Sequence, residues 1–357
     1  MQESYKSRIA RLYEALPYSC EPEPKSVNRI PSSATSEFLT NKAQGDWAEE
    51  VVLKAVNQYS RDFVAVQYGR SDSISAGEEG FAEFYSGYLD ELASVGKKPD
   101  LLIYRREQLP DTVMLERDDP DTVSRAVAAI EVRSSSFLAN RYWDYMRRRT
   151  SRAMDECGRI RDQLLEEPFS SLLSQKNPEL LKLLQVSGVE AFRDLDFAFR
   201  RMSSSADLIA LSELLHELKK QIKILQRRDH LSITPKLEDL AGVNRWIQRF
   251  GVPHFYLQVF FDKAYLVSFQ RILEISADSS LEGNVFSVES DIKNQGKTTI
   301  KIDIGVGSEV IGRIDMPEHS SVMKELDRGR LLFHVIFSGG QGYLDESLFC
   351  REIEPVD

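Results

Sequence analysis

Hydrophobic residues recur every three to four positions at the start of the chain, a spacing that predicts amphipathic helices. The first predicted helix runs from Tyr5 to Leu16. A second helix is predicted in TNKAQGDWAEEVVLKAVNQYS, where the apolar residues at this spacing are Trp47, Val51, Val52, Ala55 and Val56. Three shorter apolar segments then predict strands, namely RDFVAVQYG, KPDLLIYRRE and AVAAIEVRSS.

The pattern changes after Phe137. From about Ala139 to Asp229 the chain shows little strand character, and Arg, Leu, Glu and Lys recur with helical periodicity. The clearest amphipathic helix in this block is DLIALSELLHELKKQIKILQRR. We therefore predict a long helical insertion.

A further helix is predicted in SITPKLEDLAGVNRWIQRFG. Thr234 is expected to be its N-cap and Pro235 its first residue. Glu238 would then be the capping-box acid, and Gly251 would end the helix. Two strands, HFYLQVFFD and AYLVSFQRILEIS, follow, and the rest of the chain alternates short strand-like runs with turn residues.

This order of elements predicts an α+β or mixed α/β fold, in which helices flank a mixed sheet and the helical block is inserted into the sheet domain. The predicted parts are an N-terminal helix and linker (1–40), a core (41–138 with 230–276), the helical insertion (139–229) and a small β-rich C-terminal part (277–357).

Positive charge is clustered in a chain that is acidic overall. The 357 residues carry a net charge of −10, which argues against a uniformly basic surface. The segment 137–161 nevertheless holds seven Arg against three acidic residues, and 214–236 holds six Lys or Arg against two. Local clusters of this kind are typical of surfaces that contact nucleic acid.

The chain shows no sign of a membrane or secretory protein. Its apolar runs are shorter than the roughly 20 residues that cross a bilayer, and its N-terminal segment lacks the apolar core of a signal peptide. The three cysteines are far apart and lack metal-ligand spacing. We therefore expect a cytoplasmic protein without a membrane partner.

Two acidic residues stand at the ends of predicted strands. Asp100 follows Pro99 at the start of DLLIY, and Glu131 lies near the end of AVAAIEVR. If these strands pair, the carboxylates converge, and a cation such as Mg²⁺ would relieve their repulsion because it prefers oxygen ligands. Arg133 points to the same side of its strand as Glu131 and would neutralise charge on a phosphate.

Pro99-Asp100 and Glu131-Val132-Arg133 resemble the PD-(D/E)xK nuclease motif, with Arg in place of the usual Lys. The helix containing GDWAEEVV resembles the first core helix of that superfamily, in which Glu49 matches an acid that assists the metal site. The segments IEVRSSSF, SITPKLEDLAGVNRWI and VPHFYLQVFFDKAYLVSF further resemble type II restriction endonucleases of the AccI type. The superfamily resemblance covers about 45–140 and 230–275.

The resemblance implies a Mg²⁺-dependent enzyme of a restriction-modification system. It would cut double-stranded DNA at a palindromic site, leaving 5′-phosphate and 3′-hydroxyl ends, and would act as a homodimer because a two-fold protein matches a palindrome. Asp100 and Glu131 would hold the metal ion, and Glu49 would be an outer ligand.

The arginine at position 133 leaves the catalytic cation open. An arginine stabilises phosphate charge but is a poor proton donor or acceptor. Either Arg133 supplies only the electrostatic part, or Lys236 takes over from the first turn of its helix, where backbone N–H groups favour an anion. We give the two residues equal weight.

DNA contacts are predicted in two places. Small polar residues end the third strand, where a phosphate backbone could approach: Ser134, Ser135 and Ser136. The segment RYWDYMRRRTSR mixes aromatic residues with arginines at helical spacing, and its candidate contacts are Arg141, Arg147, Arg148 and Arg149.

Three other functions fit parts of this pattern. A repair or structure-selective nuclease would keep the same fold and site. A DNA-binding protein whose site has decayed at Arg133 would bind DNA without cutting it. A helical interaction module would have no affinity for DNA even at low salt, where phosphate contacts are strongest.

Overall fold

A computed structural model describes residues 3–20, 30–69, 74–109, 119–186, 188–291 and 297–354 of the protein. The helices, in chain order, are α1 (Tyr5–Glu14), α2 (Ser36–Tyr59), α3 (Phe81–Ser94), α4 (Pro120–Ser124), α5 (Ala139–Leu165), α6 (Phe169–Lys176), α7 (Pro178–Val186), α8 (Ala206–Leu225), α9 (Leu237–Phe250), α10 (Phe269–Ala277) and α11 (Glu346–Ile353).

The strands, in chain order, are β1 (Phe63–Gln67), β2 (Leu101–Arg105), β3 (Ala128–Ser134), β4 (Ser232–Ile233), β5 (His254–Val259), β6 (Ala264–Ser268), β7 (Phe286–Asp291), β8 (Lys297–Asp303), β9 (Ser308–Ile314), β10 (Glu318–Glu325), β11 (Leu331–Ser338) and β12 (Gly342–Leu344). Helices and strands thus form the mixed α/β class of fold that the order of elements predicts.

The chain forms two compact units. The first comprises Met1–Ala139 together with Leu231–Asp357, and the second comprises Asn140–His230. The segment expected to be a helical insertion, 139–229, lies in the second unit apart from its first residue. The second unit has a core of its own, in which α5 and α8 contribute Cys157, Ile160 and Leu215 among other buried residues.

A seven-stranded mixed sheet organises the first unit, in the order β1-β2-β3-β5-β6-β9-β12. Its strands pair antiparallel except β3 and β5, which run parallel. The register of β2 with β3 places Leu101 opposite Ile130, and that of β3 with β5 places Glu131 beside Tyr256. These two registers position the candidate site.

Alternation along β3 divides its side chains between the two faces of the sheet. Ala128, Ile130 and Val132 belong to the hydrophobic core that α2 helps to build. Glu131 and Arg133 therefore point to the opposite face, because successive side chains of a strand alternate. Helix α9 packs on that opposite face. The two charged residues thus lie between the sheet and a helix.

The predicted start of α9 is wrong, and its predicted end is confirmed. Lys236 is the N-cap and makes no side-chain cap, so Thr234 and Pro235 lie outside the helix. The cause is pairing with β8, because the Ile300 N–H donates to the Pro235 carbonyl at 3.0 Å and holds this segment extended. Gly251 ends the helix with a positive φ of 77°, which suits glycine.

The capping-box role of Glu238 is also wrong. Its Oε1 accepts a hydrogen bond from the Thr298 N–H at 3.0 Å, so the side chain contacts β8 instead of its own helix end. Hydrophobic spacing cannot report such a partner, because Thr298 lies 60 residues further along the chain.

Other elements also differ from the sequence prediction. AYLVSFQRILEIS divides into β6 and α10, and the structure has elements where the sequence pattern predicts none, among them α3, α4, α11 and β10. Strand β10 pairs with β11 as a two-stranded hairpin whose outer residues are exposed, so it lacks the apolar alternation of a covered strand. No helix in the described part of the chain is long and apolar enough to cross a membrane.

Candidate active site

Asp100 and Glu131 lie side by side at the start of β2 and the end of β3. Extending the pairing of Leu101 with Ile130 by one residue brings Asp100 next to Glu131. The Val132 N–H donates to Asp100 Oδ2 at 2.7 Å, which ties the two strands together at this point. The structure therefore brings together the two carboxylates that the sequence paired.

The surroundings of Asp100 disfavour its negatively charged form. Burial raises the pKa of Asp100 well above its usual range, and the carboxylates of Glu131 and Glu49 raise it further. The hydrogen bond from Val132 and the charge of Lys97 oppose this rise without cancelling it. Glu49, on α2, thus contributes to the same acidic cluster. A bound cation would relieve the repulsion among the three carboxylates.

Glu131 is almost completely buried and is held on one side by two cations. Lys97 Nζ lies 2.7 Å from its Oε1, and an Arg133 nitrogen lies 3.1 Å from the same oxygen. Burial opposes ionisation, but Lys97 and Arg133 outweigh it, and the pKa of Glu131 is lowered. Glu131 Oε2 is buried without a hydrogen-bond partner among the described residues. The two cations therefore favour the charged form of Glu131, and its Oε2 is left without a partner in the described part of the chain.

Asp239 on α9 completes the charged cluster. Its Oδ2 accepts hydrogen bonds from Lys97 and from Arg133, each at 2.7 Å. Burial acts against ionisation here too, but Lys97, Arg133 and Lys236 hold the pKa of Asp239 well below its usual range. Two cations are thus shared between two carboxylates, an arrangement that keeps all four side chains charged.

The two predicted cations have different places in the structure. Arg133 contacts Glu131 and Asp239 directly, and burial of its guanidinium is offset by these two carboxylates, which raise its pKa. Lys236 lies at the N-cap of α9, where its charge helps to lower the pKa of Asp239. Sequence reasoning missed Lys97 and Asp239. The only local signal was GKKPD, which places Lys97 three residues before Asp100.

Two buried polar side chains of β5 line the same face. Tyr256 lies beside Glu131 in the sheet, and burial raises the pKa of its hydroxyl. Burial lowers the pKa of His254 to about 4, so its imidazole is neutral near pH 7. Within the described residues, neither the Tyr256 hydroxyl nor the His254 ring nitrogens have a hydrogen-bond partner. The face beside Glu131 therefore holds further polar atoms.

The donor set fits Mg²⁺, which binds carboxylate oxygens and keeps several of its waters. The negative charges of Glu131 and Glu49 help to raise the pKa of Asp100. Glu131 Oε2 lacks a hydrogen-bond partner in the described part of the chain. Among the described residues, no three His, Cys, Asp or Glu side chains already stand in an arrangement that could hold a metal ion. A cation site here would therefore require these carboxylates to move closer together.

Two glycines allow the loop before β2 to lie directly on α9. Gly96 has a φ of +94°, and a Cβ at this position would lie 2.4 Å from the Gly242 carbonyl oxygen. The Lys97 N–H donates to that carbonyl at 2.9 Å, and a Cβ on Gly242 would lie 3.0 Å from Lys97 Cβ. This close contact thus fixes the position of the Lys97 backbone on α9.

Gly96→Ala is therefore expected to destabilise the protein by about 3 kcal/mol, through backbone overlap and an unfavourable φ. Thermal or urea unfolding measures the loss. Gly87→Ala is the matched control, because Gly87 lies inside α3 with no atom within 4 Å of its added Cβ. The control should be neutral or more stable by up to about 1 kcal/mol. Equal stability of both variants would contradict the packing described.

The predicted DNA-contact residues fall into both units. Ser134, Ser135 and Ser136 belong to the first unit and are half-buried to exposed, and the Ser135 N–H pairs with the Val259 carbonyl at 2.9 Å. The four arginines belong to the second unit, on α5.

Three of these arginines are exposed, and one has a structural role. Arg141, Arg147 and Arg148 are exposed near Trp143 and Tyr145, whose side chains are also exposed. Arg149 instead is half-buried and donates to the backbone carbonyls of residues 227 and 228 at 3.3 Å each.

Comparison with known proteins adds one finding. The family model described as AccI restriction endonuclease matches residues 4–353, which is nearly the whole chain. Searches of curated proteins and of solved structures returned no match. The resemblance expected from IEVRSSSF and the two later segments is thereby confirmed, and the chain belongs to the AccI restriction endonuclease family.

Proposed function

We propose that this restriction endonuclease is a Mg²⁺-dependent type II enzyme with a PD-(D/E)xK site, and that it cuts both strands of DNA at a palindromic sequence. The observation that carries the proposal is the pairing of Asp100 with Glu131 beside Glu49 and Arg133. Membership of the family supports DNA hydrolysis, and the site supports the metal requirement.

In this mechanism Asp100 and Glu131 would hold the metal ion, and Glu49 would assist as an outer carboxylate. When bound, Mg²⁺ supplies an activated water and stabilises charge on the leaving oxygen. Arg133 keeps a positive charge beside Glu131 and is the candidate that the motif resemblance offers for neutralising the scissile phosphate. Lys236 is a second candidate for that charge, since it already acts on Asp239 from the start of α9.

We further propose that α5 contacts DNA and that two copies of the chain act together. The exposed face of α5 near its start carries Arg141, Arg147 and Arg148 with Trp143 and Tyr145, a combination suited to phosphate and base contact. A two-fold symmetric dimer would present two active sites to the two strands of a palindrome.

The sequences at the ends of the DNA fragments that the enzyme produces test this function. Linear duplex DNA of known sequence should give discrete fragments, and sequencing should place both cuts symmetrically within one short sequence. Ends scattered over many sequences, or located only at mismatches and junctions, would instead identify a repair or structure-selective nuclease. DNA that is bound but stays intact with every divalent metal would indicate a decayed site.

Replacing the three exposed arginines of α5 by alanine is expected to reduce the salt dependence of DNA binding. Each lost phosphate contact lowers the slope of log affinity against log salt by about 0.9, so the triple variant should lose about 2 to 3. Filter binding or fluorescence anisotropy in Ca²⁺ at several salt concentrations measures this slope.

Arg159→Ala is the control for that experiment. It removes one arginine charge from the later part of α5, where Arg159 pairs with Glu156, and should leave the slope within about 0.3 of the wild type. An unchanged slope in the triple variant, or an equal reduction in the control, would contradict the proposed DNA contact.

A further inference from the structure

Lys97 has a fixed place in the site although it lies outside the nuclease motif. The loop that carries it rests on α9 through Gly96 and Gly242, and Lys97 itself donates its backbone N–H to the Gly242 carbonyl. Its side chain then reaches Glu131 and Asp239, and only 17% of that side chain is exposed. Backbone contacts and ion pairs therefore both fix the position of Lys97.

The adjacent lysine, Lys98, makes different contacts. Lys98 pairs with Glu91 on α3, and its ammonium lies 5.6 Å from the centre of the Tyr68 ring. Of the two consecutive lysines, Lys97 is thus the one that contacts the acidic cluster. Lys98 provides a natural comparison, because it has the same chemistry one residue away.

The hydrogen-bonding capacity of Lys97 is not exhausted. An ammonium group has three N–H donors. Two of them are used, by Glu131 Oε1 and Asp239 Oδ2, each at 2.7 Å. The third has no partner among the described residues, so it can donate to an anionic oxygen that approaches the partly exposed side chain. A phosphate oxygen of DNA is the acceptor that a nuclease site brings there.

Arg133 is placed less favourably for this contact. One of its terminal nitrogens already contacts both Glu131 Oε1 and Asp239 Oδ2, and its Nε is buried without a partner in the described part of the chain. A planar guanidinium held at two carboxylates cannot turn towards a third acceptor as a compact ammonium can. The contacts therefore separate the two cations, since Arg133 is held by both carboxylates through one nitrogen and Lys97 keeps a third N–H that no described residue accepts.

We propose that Lys97 is the catalytic cation of this enzyme: it fixes Glu131 through Oε1 and donates its third N–H to the scissile phosphate, while Asp239 is a positioning residue that holds it there. The inference rests on the proposed nuclease function, and it assigns to a residue before β2 the work that position 133 performs in the usual motif.

The test compares Lys97→Met with Lys98→Met, using the full chain and a duplex that contains the cleavage site. Single-turnover cleavage in Mg²⁺ measures the chemical step, and DNA binding in Ca²⁺ measures affinity. Loss of one charge-stabilising group typically costs about 10²- to 10³-fold in rate. We expect Lys97→Met to slow cleavage by about 100-fold, to keep its DNA affinity within about threefold, and Lys98→Met to match the wild type in both.

Two further variants separate chemistry from structure. Lys97→Arg keeps the charge beside the two carboxylates but not the compact ammonium, so it should fold like the wild type and still cleave at least about tenfold more slowly. Asp239→Asn keeps the shape but loosens Lys97, so it should slow cleavage by about tenfold without changing DNA affinity. If Lys97→Met does not fold, as judged by circular dichroism, Asp239→Asn takes its place, and cleavage by that variant at the wild-type rate would overturn the inference.

The remaining outcomes distinguish the two proposals. Cleavage by folded Lys97→Met at the wild-type rate would overturn the role of Lys97 and leave the nuclease function intact. A loss of DNA affinity as large as the loss of rate would also overturn it, because Lys97 would then serve binding alone. Absence of cleavage by the wild type and by Lys98→Met would overturn the proposed function, and this inference with it.

Discussion

Asp100→Asn is expected to slow DNA cleavage by about 10³-fold, which corresponds to about 4 kcal/mol of transition-state stabilisation. The substitution removes a carboxylate that would hold the metal ion. It keeps the shape of the side chain and an oxygen that can accept the hydrogen bond from Val132, which lies at 2.7 Å in the wild type. Single-turnover cleavage in Mg²⁺ measures this loss.

The same substitution is expected to make the metal-free protein more stable. Burial, Glu131 and Glu49 together raise the pKa of Asp100, so its ionised form is unfavourable in the folded state. Because this pKa is raised on folding, the carboxyl is protonated in acid and imposes its cost as the pH rises. The gain in melting temperature of Asp100→Asn, measured in EDTA, should therefore be larger at pH 8 than at pH 5.

A variant that melts below the wild type at pH 8, or that cleaves at the wild-type rate, would contradict this account of Asp100. The combination of higher stability and lost activity is typical of a residue retained for chemistry.

Glu131→Gln is expected to slow cleavage by a similar factor. Unlike Asp100→Asn, it is expected to make the folded protein less stable. Lys97 and Arg133 both contact Glu131 Oε1, and both are largely buried. A neutral amide removes half of the negative charge that these two cations share with Asp239. Breaking a buried charge pair in this way costs about 3 kcal/mol.

Paired measurements of unfolding and cleavage test this prediction, with Glu309→Gln as the control. Glu309 accepts hydrogen bonds from Lys263 and from Tyr265 at 2.8 to 2.9 Å, away from the acidic cluster. The control should lose some stability and keep its cleavage rate. Stability of Glu131→Gln equal to the wild type, or cleavage by it at the control's rate, would refute the charge network described.

The strands that carry the candidate site were predictable because their signal is local. The alternation in AVAAIEVRSS predicts that Glu131 and Arg133 share one face of β3. In the structure Glu131 pairs with Lys97 and Arg133, and Arg133 also pairs with Asp239. The short segments between turn residues likewise predicted β1, β2 and β5. Pairing of Asp100 with Glu131 followed once β2 and β3 were assumed to be neighbours.

The rest of the site depends on contacts between distant segments. Lys97 and Asp239 are 142 residues apart, and each belongs to an element whose own pattern says nothing of the other. The start of α9 was misjudged for the same reason, because β8 holds the preceding residues extended. Periodicity and capping rules describe one segment at a time, and they cannot report a partner strand that arrives later in the chain.

The most direct test of the proposed function is incubation of the purified protein with linear duplex DNA in Mg²⁺, alongside the same reaction in EDTA and one with Asp100→Asn. We predict discrete fragments in the first reaction, and intact DNA in the other two. Intact DNA in all three reactions, or equal cleavage in EDTA, would contradict the claim that Asp100 and Glu131 form a metal-dependent nuclease site.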